Sequence, residues 1–444
     1  MKAHSTGLLH WAFTAMLLVG AVHVATSGRD LTQSFSDLQT LSAPVRVPAA
    51  VWLQRAVSLL LLVAALEQTI NHLALRRRLP SLALLAGFLV FWAGTIGAPA
   101  VFGAYPRVSH ELLYALAMGA ASCLAGPAER DRILRAARDA LLVLMLAGLA
   151  GIAVRPTLVL DPSYSEGLLQ GLPRFAGLTP HPVTQGSLAQ VATLLLWAFP
   201  YSRPWMNRAA WAVAMGVLVI AQSKAAWIAF GVCIVAMAAS RQGGALWRRV
   251  GDPRRGALGL LVVGGASLAV VALAAALIVG DAAGRIGLFL ESPEGARLAT
   301  MTGRDRIWTI AAQEWRTHPV FGYGLTLWDA LYRAQINLPN ATHAHNQFMD
   351  DAARAGSVGA AALVVYGLVL AVLAVRYARA SAGLSIALFL SLALRAVSEV
   401  PLSLLGYGTE LFVHLTLLVT LAGTAANEPA PATQAGTLRF GVVP

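Results

Sequence analysis

The 444-residue sequence predicts an all-α integral membrane protein with about 12 transmembrane helices. Three observations lead there. The chain is 57% hydrophobic and only 12% charged, where water-facing domains carry about 25% charged residues. Apolar runs recur along the whole length and are apolar on every helical face. Charge, Pro and Gly fall in the breaks between them, and the cations crowd into alternate breaks. In hydrocarbon each backbone N–H and C=O has to be satisfied within its own segment, so helix is the expected state of such runs. Composition excludes a disordered chain, a collagen and a disulfide scaffold. A net charge of +12 on so apolar a chain also fits poorly with a soluble nucleic-acid binder.

The predicted spans are 8–26, 51–73, 82–104, 111–125, 139–157, 184–199, 209–222, 225–239, 257–279, 357–375, 383–397 and 409–424. Several are short for the hydrocarbon layer and need tilt or flanking residues. The first has the length of a signal peptide but no persuasive small-residue cleavage site, and is read as a retained helix. With the loops numbered alternately, one side collects 18 cations against five acids, including Arg76, Arg77 and Arg78. The other side holds 15 of each, and Glu67 lies inside a span. The positive-inside rule makes the cationic side cytoplasmic and places both termini there. Cys123 and Cys233 fall in spans, so no external disulfide is predicted. The expected layout is nine spans over 1–279 with a smaller outer loop near 158–183, a large outer loop over 280–356, three spans over 357–424, and a mobile tail over 425–444.

Both outer loops exceed the 12–15 residues that simple connection needs. In the second, Thr302 and Asp305 make a capping box for a helix whose Arg304, Trp308, Ala311 and Trp315 share one stripe. Its two Trp residues suit interfacial anchoring. Next come His343 and His345. If Thr342 caps a helix they lie about 200° apart, which opposes a His-x-His metal pair. Extended backbone would bring both to one face, with Asp350 and Asp351 nearby, but no third ligand is well spaced and no metal is predicted. Asn346 is placed to orient His345, and Gly356 to end the helix before the next span. An imidazole with an ordinary pKa of about 6.5 suits a general base. Arg174, Lys224, Arg304, Arg306 and Arg395 lie outside or near span ends. Singly such residues snorkel or pair; together they suit a polyanion such as a lipid diphosphate. The sequence holds no nucleotide-binding loop, and no inverted repeat of the kind transporters carry.

Arg174-x-x-x-Leu178 followed by His181 and Pro182 resembles the Arg-x3-Leu element of bacterial O-antigen ligases. His345-Asn346, nine residues, then Gly356-Ser357-Val358-Gly359 resembles that family's His-[Asn/Ser/Gln]-x9-Gly-x-x-[Gly/Thr/Tyr] element. The series Thr302, Gly303, Arg304, Trp308, Pro319, Gly322 and Gly324 is similar to the wider ligase and polymerase superfamily. The resemblance implies a metal-independent, inverting glycosyltransferase of the Gram-negative inner membrane, working on the periplasmic side without a cofactor. Its donor would be undecaprenyl diphosphate-linked O-antigen, its acceptor a sugar hydroxyl of lipid A–core, and its surroundings membrane lipid rather than nucleic acid. It implies His345 as base and Arg174, Lys224, Arg304, Arg306 and Arg395 around the diphosphate, with Asn346, His343, His181 and Trp308 in support. The alternatives are an O-antigen polymerase, a protein O-oligosaccharyltransferase and, from another class, a transporter or flippase.

Overall fold

The computed structural model describes residues 7–32, 47–162, 169, 171–250, 304–339 and 341–428. The span expected at 257–279, the capping residue Thr302, the first part of the large loop and the tail after residue 428 lie outside the described residues.

The described residues are mostly helical. In chain order they form α1 (Leu9–Thr26), α2 (Pro48–Ala74), α3 (Leu82–Phe102), α4 (Leu112–Cys123) and α5 (Pro127–Val154). After a hairpin of two short strands come α6 (Pro182–Ala198), α7 (Pro204–Ile220) and α8 (Lys224–Val250). The second half adds α9 (Arg304–Thr317), α10 (Ala330–Gln335), α11 (Gln347–Arg376), α12 (Leu384–Ala396) and α13 (Thr409–Ala425). Pro stands at the first turn of α2, α5, α6 and α7, where its missing N–H breaks no helical bond. Six helices are long and apolar enough to cross a membrane: α1, α2, α3, α5, the first part of α8, and α11. α4, α12 and α13 are apolar but shorter. The chain is therefore a multi-pass, largely helical membrane protein. Its described residues hold six such helices against the 12 spans expected.

α13 is the central helix. Every residue from Leu411 to Ala425 is buried, against α1, α4, α5, α6 and α12 among others. Thr416, Thr420 and Thr424 each donate to the carbonyl four residues back, which satisfies three hydroxyls in an apolar interior. Glu67, the acid inside a span, accepts the Leu8 N–H at 2.6 Å and so caps the start of α1. Cys123 and Cys233 are free and buried.

Two features turn this bundle into a scaffold for a site. The strands pair antiparallel, Leu160 with Phe175 and Asp161 with Arg174, a short sheet in a loop expected to have none. And α11 is kinked at Gly356, whose φ is +63°. A β-carbon there would come within 2.4 Å of the Val320 backbone. The segment around Gly322 lies against the kink: Ser357 and Val358 donate to the Pro319 and Val320 carbonyls at 2.8 and 3.2 Å. In return Tyr323 and Gly324 donate to the Ala353 and Arg354 carbonyls at 2.9 Å each. The kink's freed backbone groups are thus satisfied by the 319–324 segment, which is why glycine is needed on both sides.

Candidate functional site

Asn346 sets the start of α11. Its backbone is extended and its Oδ1 accepts the Met349 N–H at 3.0 Å, so the helix begins at Gln347. Thr342 is not the cap, and the 200° separation drawn from a helix through His343 and His345 does not apply. Both histidines precede the helix, and His345 takes a left-handed φ of +51°. Their rings lie side by side with centroids 4.2 Å apart. Ala344, between them, is pinned by both polar backbone groups. Its N–H donates to Asp350 Oδ1 at 2.8 Å and its carbonyl accepts from Trp308 Nε1 at 2.8 Å. Asp350 is in turn bonded to Arg354 at 2.7 Å, and Arg354 donates to the Leu325 and Leu327 carbonyls. Trp308, expected as an anchor in the interface, therefore also supports the histidine loop.

Asn346 does not orient the imidazole. Its Nδ2 donates to the Val397 carbonyl at 3.2 Å and ties the histidine loop to the segment after α12. That segment carries Glu399, which sequence reasoning missed. Glu399 Oε2 lies 3.4 Å from His345 Nδ1 and 3.5 Å from His343 Nε2, and Oε1 lies 3.6 Å from Arg304. Burial alone would raise the Glu399 carboxyl. The closeness of His345, then of His343 and Arg304, outweighs that and holds it below the usual carboxylate range. His343 is held below the ordinary histidine range, first by burial and then by His345. His345 Nδ1 is buried and makes no hydrogen bond among the described residues, although Glu399 Oε2 lies 3.4 Å away. The carboxylate is close enough for its charge to favour an imidazolium at His345.

His343, His345 and Glu399 are also, among the described residues, the one group of three whose ligand atoms lie close enough for a metal. The separations of 3.4 and 3.5 Å approach the roughly 3.3 Å edges of a zinc tetrahedron. The hydrogen bonding opposes it. His343 Nδ1 accepts the His345 N–H at 3.1 Å, so neutral His343 keeps its proton on Nε2, the atom that would have to bind the ion.

These groups open on a cleft of about 840 Å³. Four arginines line it, Arg304, Arg333, Arg354 and Arg395, against two acids, Glu399 and Glu410. Arg395 is 6% exposed and its Nε is buried without a hydrogen-bond partner among the described residues, although the guanidinium lies 3.8 Å from Glu410. A buried donor left unmatched costs about 1–3 kcal/mol and marks a place for a bound acceptor. His181 also lines the cleft. Its Nδ1 caps α6 by accepting the Val183 N–H at 3.2 Å, and burial followed by Arg174 lowers its pKa. The turn before it is held by Arg29, which donates to the carbonyls of Leu158, Gly177, Thr179 and Pro180. Burial lowers the Arg29 pKa to about 10 against the pull of Asp161.

The other expected cations stand outside the cleft walls. Arg174 is buried in the second strand, with Nε 3.4 Å from the Ala221 carbonyl. Lys224 opens α8 and is exposed. Arg306 is exposed and donates to the Ile336 carbonyl at 3.1 Å. Arg333, which sequence reasoning did not single out, is in the wall.

A family model described as O-antigen ligase matches residues 209–364, about a third of the chain. Over that stretch the chain is similar to the O-antigen ligases. The matched stretch holds Arg304, Trp308, His343, His345 and the Gly356 kink, while Arg174, His181, Arg395 and Glu399 lie outside it. The similarity therefore covers both histidines but not the Glu399 that faces them. No curated protein matches the chain.

Proposed function

We propose that this protein is an O-antigen ligase of the Gram-negative inner membrane. It moves a completed polysaccharide from undecaprenyl diphosphate to a sugar hydroxyl of lipid A–core on the periplasmic side. The observation that carries the reading is the His345–Glu399 pair, at 3.4 Å, in a cleft with four arginines and two acids. His345 accepts the proton of the acceptor hydroxyl on Nε2, while Glu399 holds Nδ1–H and stabilises the imidazolium as it forms. The acceptor oxygen bonds to the anomeric carbon as the bond from that carbon to the diphosphate oxygen breaks. The electron pair leaves with undecaprenyl diphosphate, and a single displacement inverts the anomeric centre. Arg304 and Arg395 neutralise the departing charge from the cleft wall. Arg174, Lys224 and Arg306 add positive field from outside it, and Trp308, Asn346, His343 and His181 hold the frame. The donor already carries its leaving group, so neither nucleotide nor metal enters the scheme. From Arg304 onward the large loop supplies one wall of the cleft.

The test supplies purified protein with undecaprenyl diphosphate-linked polysaccharide and lipid A–core, without metal or nucleotide. Polysaccharide on lipid A–core is the expected product. Elongation of the lipid-linked chain would instead make the protein a polymerase.

A further inference from the structure

A second groove, of about 710 Å³, opens beside the cleft at the end of the bundle where α1, α2 and α4 meet, and shares Pro180 and Leu405 with it. The two differ in charge. The groove is lined by one arginine, Arg55, and one glutamate, Glu111, whereas the cleft has four arginines and two glutamates. A diphosphate belongs in the second, and a sugar head of lower charge density in the first. The groove wall suits a sugar. Tyr114 and Tyr407 meet edge to face with centroids 5.5 Å apart. The Tyr407 hydroxyl is bonded to Ser58 at 2.6 Å and to the Gln54 carbonyl at 3.0 Å. Aromatic faces with fixed hydroxyls present an apolar body and a polar rim together. On the α2 side, Leu59 is 64% and Leu62 37% exposed, so the wall continues into the helix surface that lipid covers.

We propose that this groove is the acceptor subsite: it receives the sugar head of the acceptor glycolipid from the membrane at α2 while the donor diphosphate sits among the arginines. The proposal rests on the ligase reading. The two substrates then meet across Pro180 and Leu405, with the acceptor hydroxyl directed to His345. This divides one reaction between two compartments and explains why most of the arginines gather in one of them.

Gly20 and Gly406 line the groove, and a β-carbon at either meets nothing within 4 Å. Gly20→Phe and Gly406→Phe therefore place a bulky side chain at the groove wall. The expected result is a rise of about tenfold or more in the KM for lipid A–core, with the KM for undecaprenyl diphosphate-linked polysaccharide within about threefold of wild type. An unchanged acceptor KM, or a rise confined to the donor, overturns the proposal. A photoreactive benzoylphenylalanine at Gly406 gives a readout independent of turnover. It should capture lipid A–core, and capture of undecaprenyl diphosphate or of neither lipid refutes the assignment. Should wild-type protein fail to glycosylate lipid A–core at all, the ligase reading fails, and the crosslink still decides what the groove holds.

Discussion

Glu399→Gln removes one negative charge while keeping the size and shape of the side chain that faces His345, His343 and Arg304. At 3.4 Å and an effective dielectric constant of about 20, a charge at Glu399 stabilises an imidazolium at His345 by about 5 kcal/mol (332/(20 × 3.4)). Two effects reduce this. The Glu399 side chain is 19% exposed, and Arg304, 3.6 Å away, already offsets part of its field. About 2–3 kcal/mol of transition-state stabilisation remains, a fall in turnover of roughly 30- to 150-fold. The assay is single-turnover transfer at saturating donor and acceptor, with the melting temperature measured in parallel. Because the pair acts as a unit, Glu399→Gln combined with His345→Ala should be no slower than His345→Ala alone. A Glu399→Gln enzyme that folds normally and turns over within about threefold of wild type refutes the reasoning, as does additivity of the two losses.

Three further outcomes follow from the same geometry. Asp350→Ala strands the buried Arg354 guanidinium and the Ala344 N–H, and should cost about 3–5 kcal/mol, read as a large fall in melting temperature. Gly356→Ala should be severely destabilising, since φ is +63° and the new carbon would sit 2.4 Å from the Val320 backbone. Gly367→Ala in the same helix, with nothing within 4 Å, should be neutral or stabilising. The pH dependence has a defined sign. His343 and His181 have folded pKa values below the unfolded value of about 6.5, so in acid the unfolded chain binds more protons and stability falls as pH drops below that point. Glu399, also lowered, holds its contribution above the unfolded value of about 4.3 and loses it only in stronger acid. Melting temperature should therefore fall between about pH 6.5 and pH 5, and fall less steeply for His343→Gln. An equally steep fall in that variant would remove His343 from the account.

Much of the fold was legible because membrane burial acts on long uniform segments. The apolar runs coincide with helices wherever residues are described, and the Pro residues that begin α6 and α7 stand where the runs begin. The site was legible only in part. His345 and Arg304 stand out because they fall in a spaced motif within a long loop. Glu399 does not. It lies 54 residues beyond His345, after a different helix, and tertiary contacts such as Asn346 with Val397 and Gln347 with Leu402 bring it to the imidazole. Asn346 shows the same limit from the other side: its spacing beside His345 suggested an orienting role, but the local backbone uses its side chain as a helix cap. Arg174 and Lys224 were singled out as cations near span ends, yet both stand outside the cleft walls. Which wall a cation faces depends on helix rotation and on the hairpin, and neither is written in the spacing of residues.

The central claim is that His345 takes the acceptor's proton in a transfer that needs neither metal nor nucleotide. Single-turnover transfer to lipid A–core by His345→Ala, in chelator and without nucleotide, tests it most directly. The account predicts a rate about 10²- to 10⁴-fold below wild type, with donor binding retained and part of the rate restored by added imidazole. A His345→Ala enzyme that transfers at a near-normal rate would contradict it.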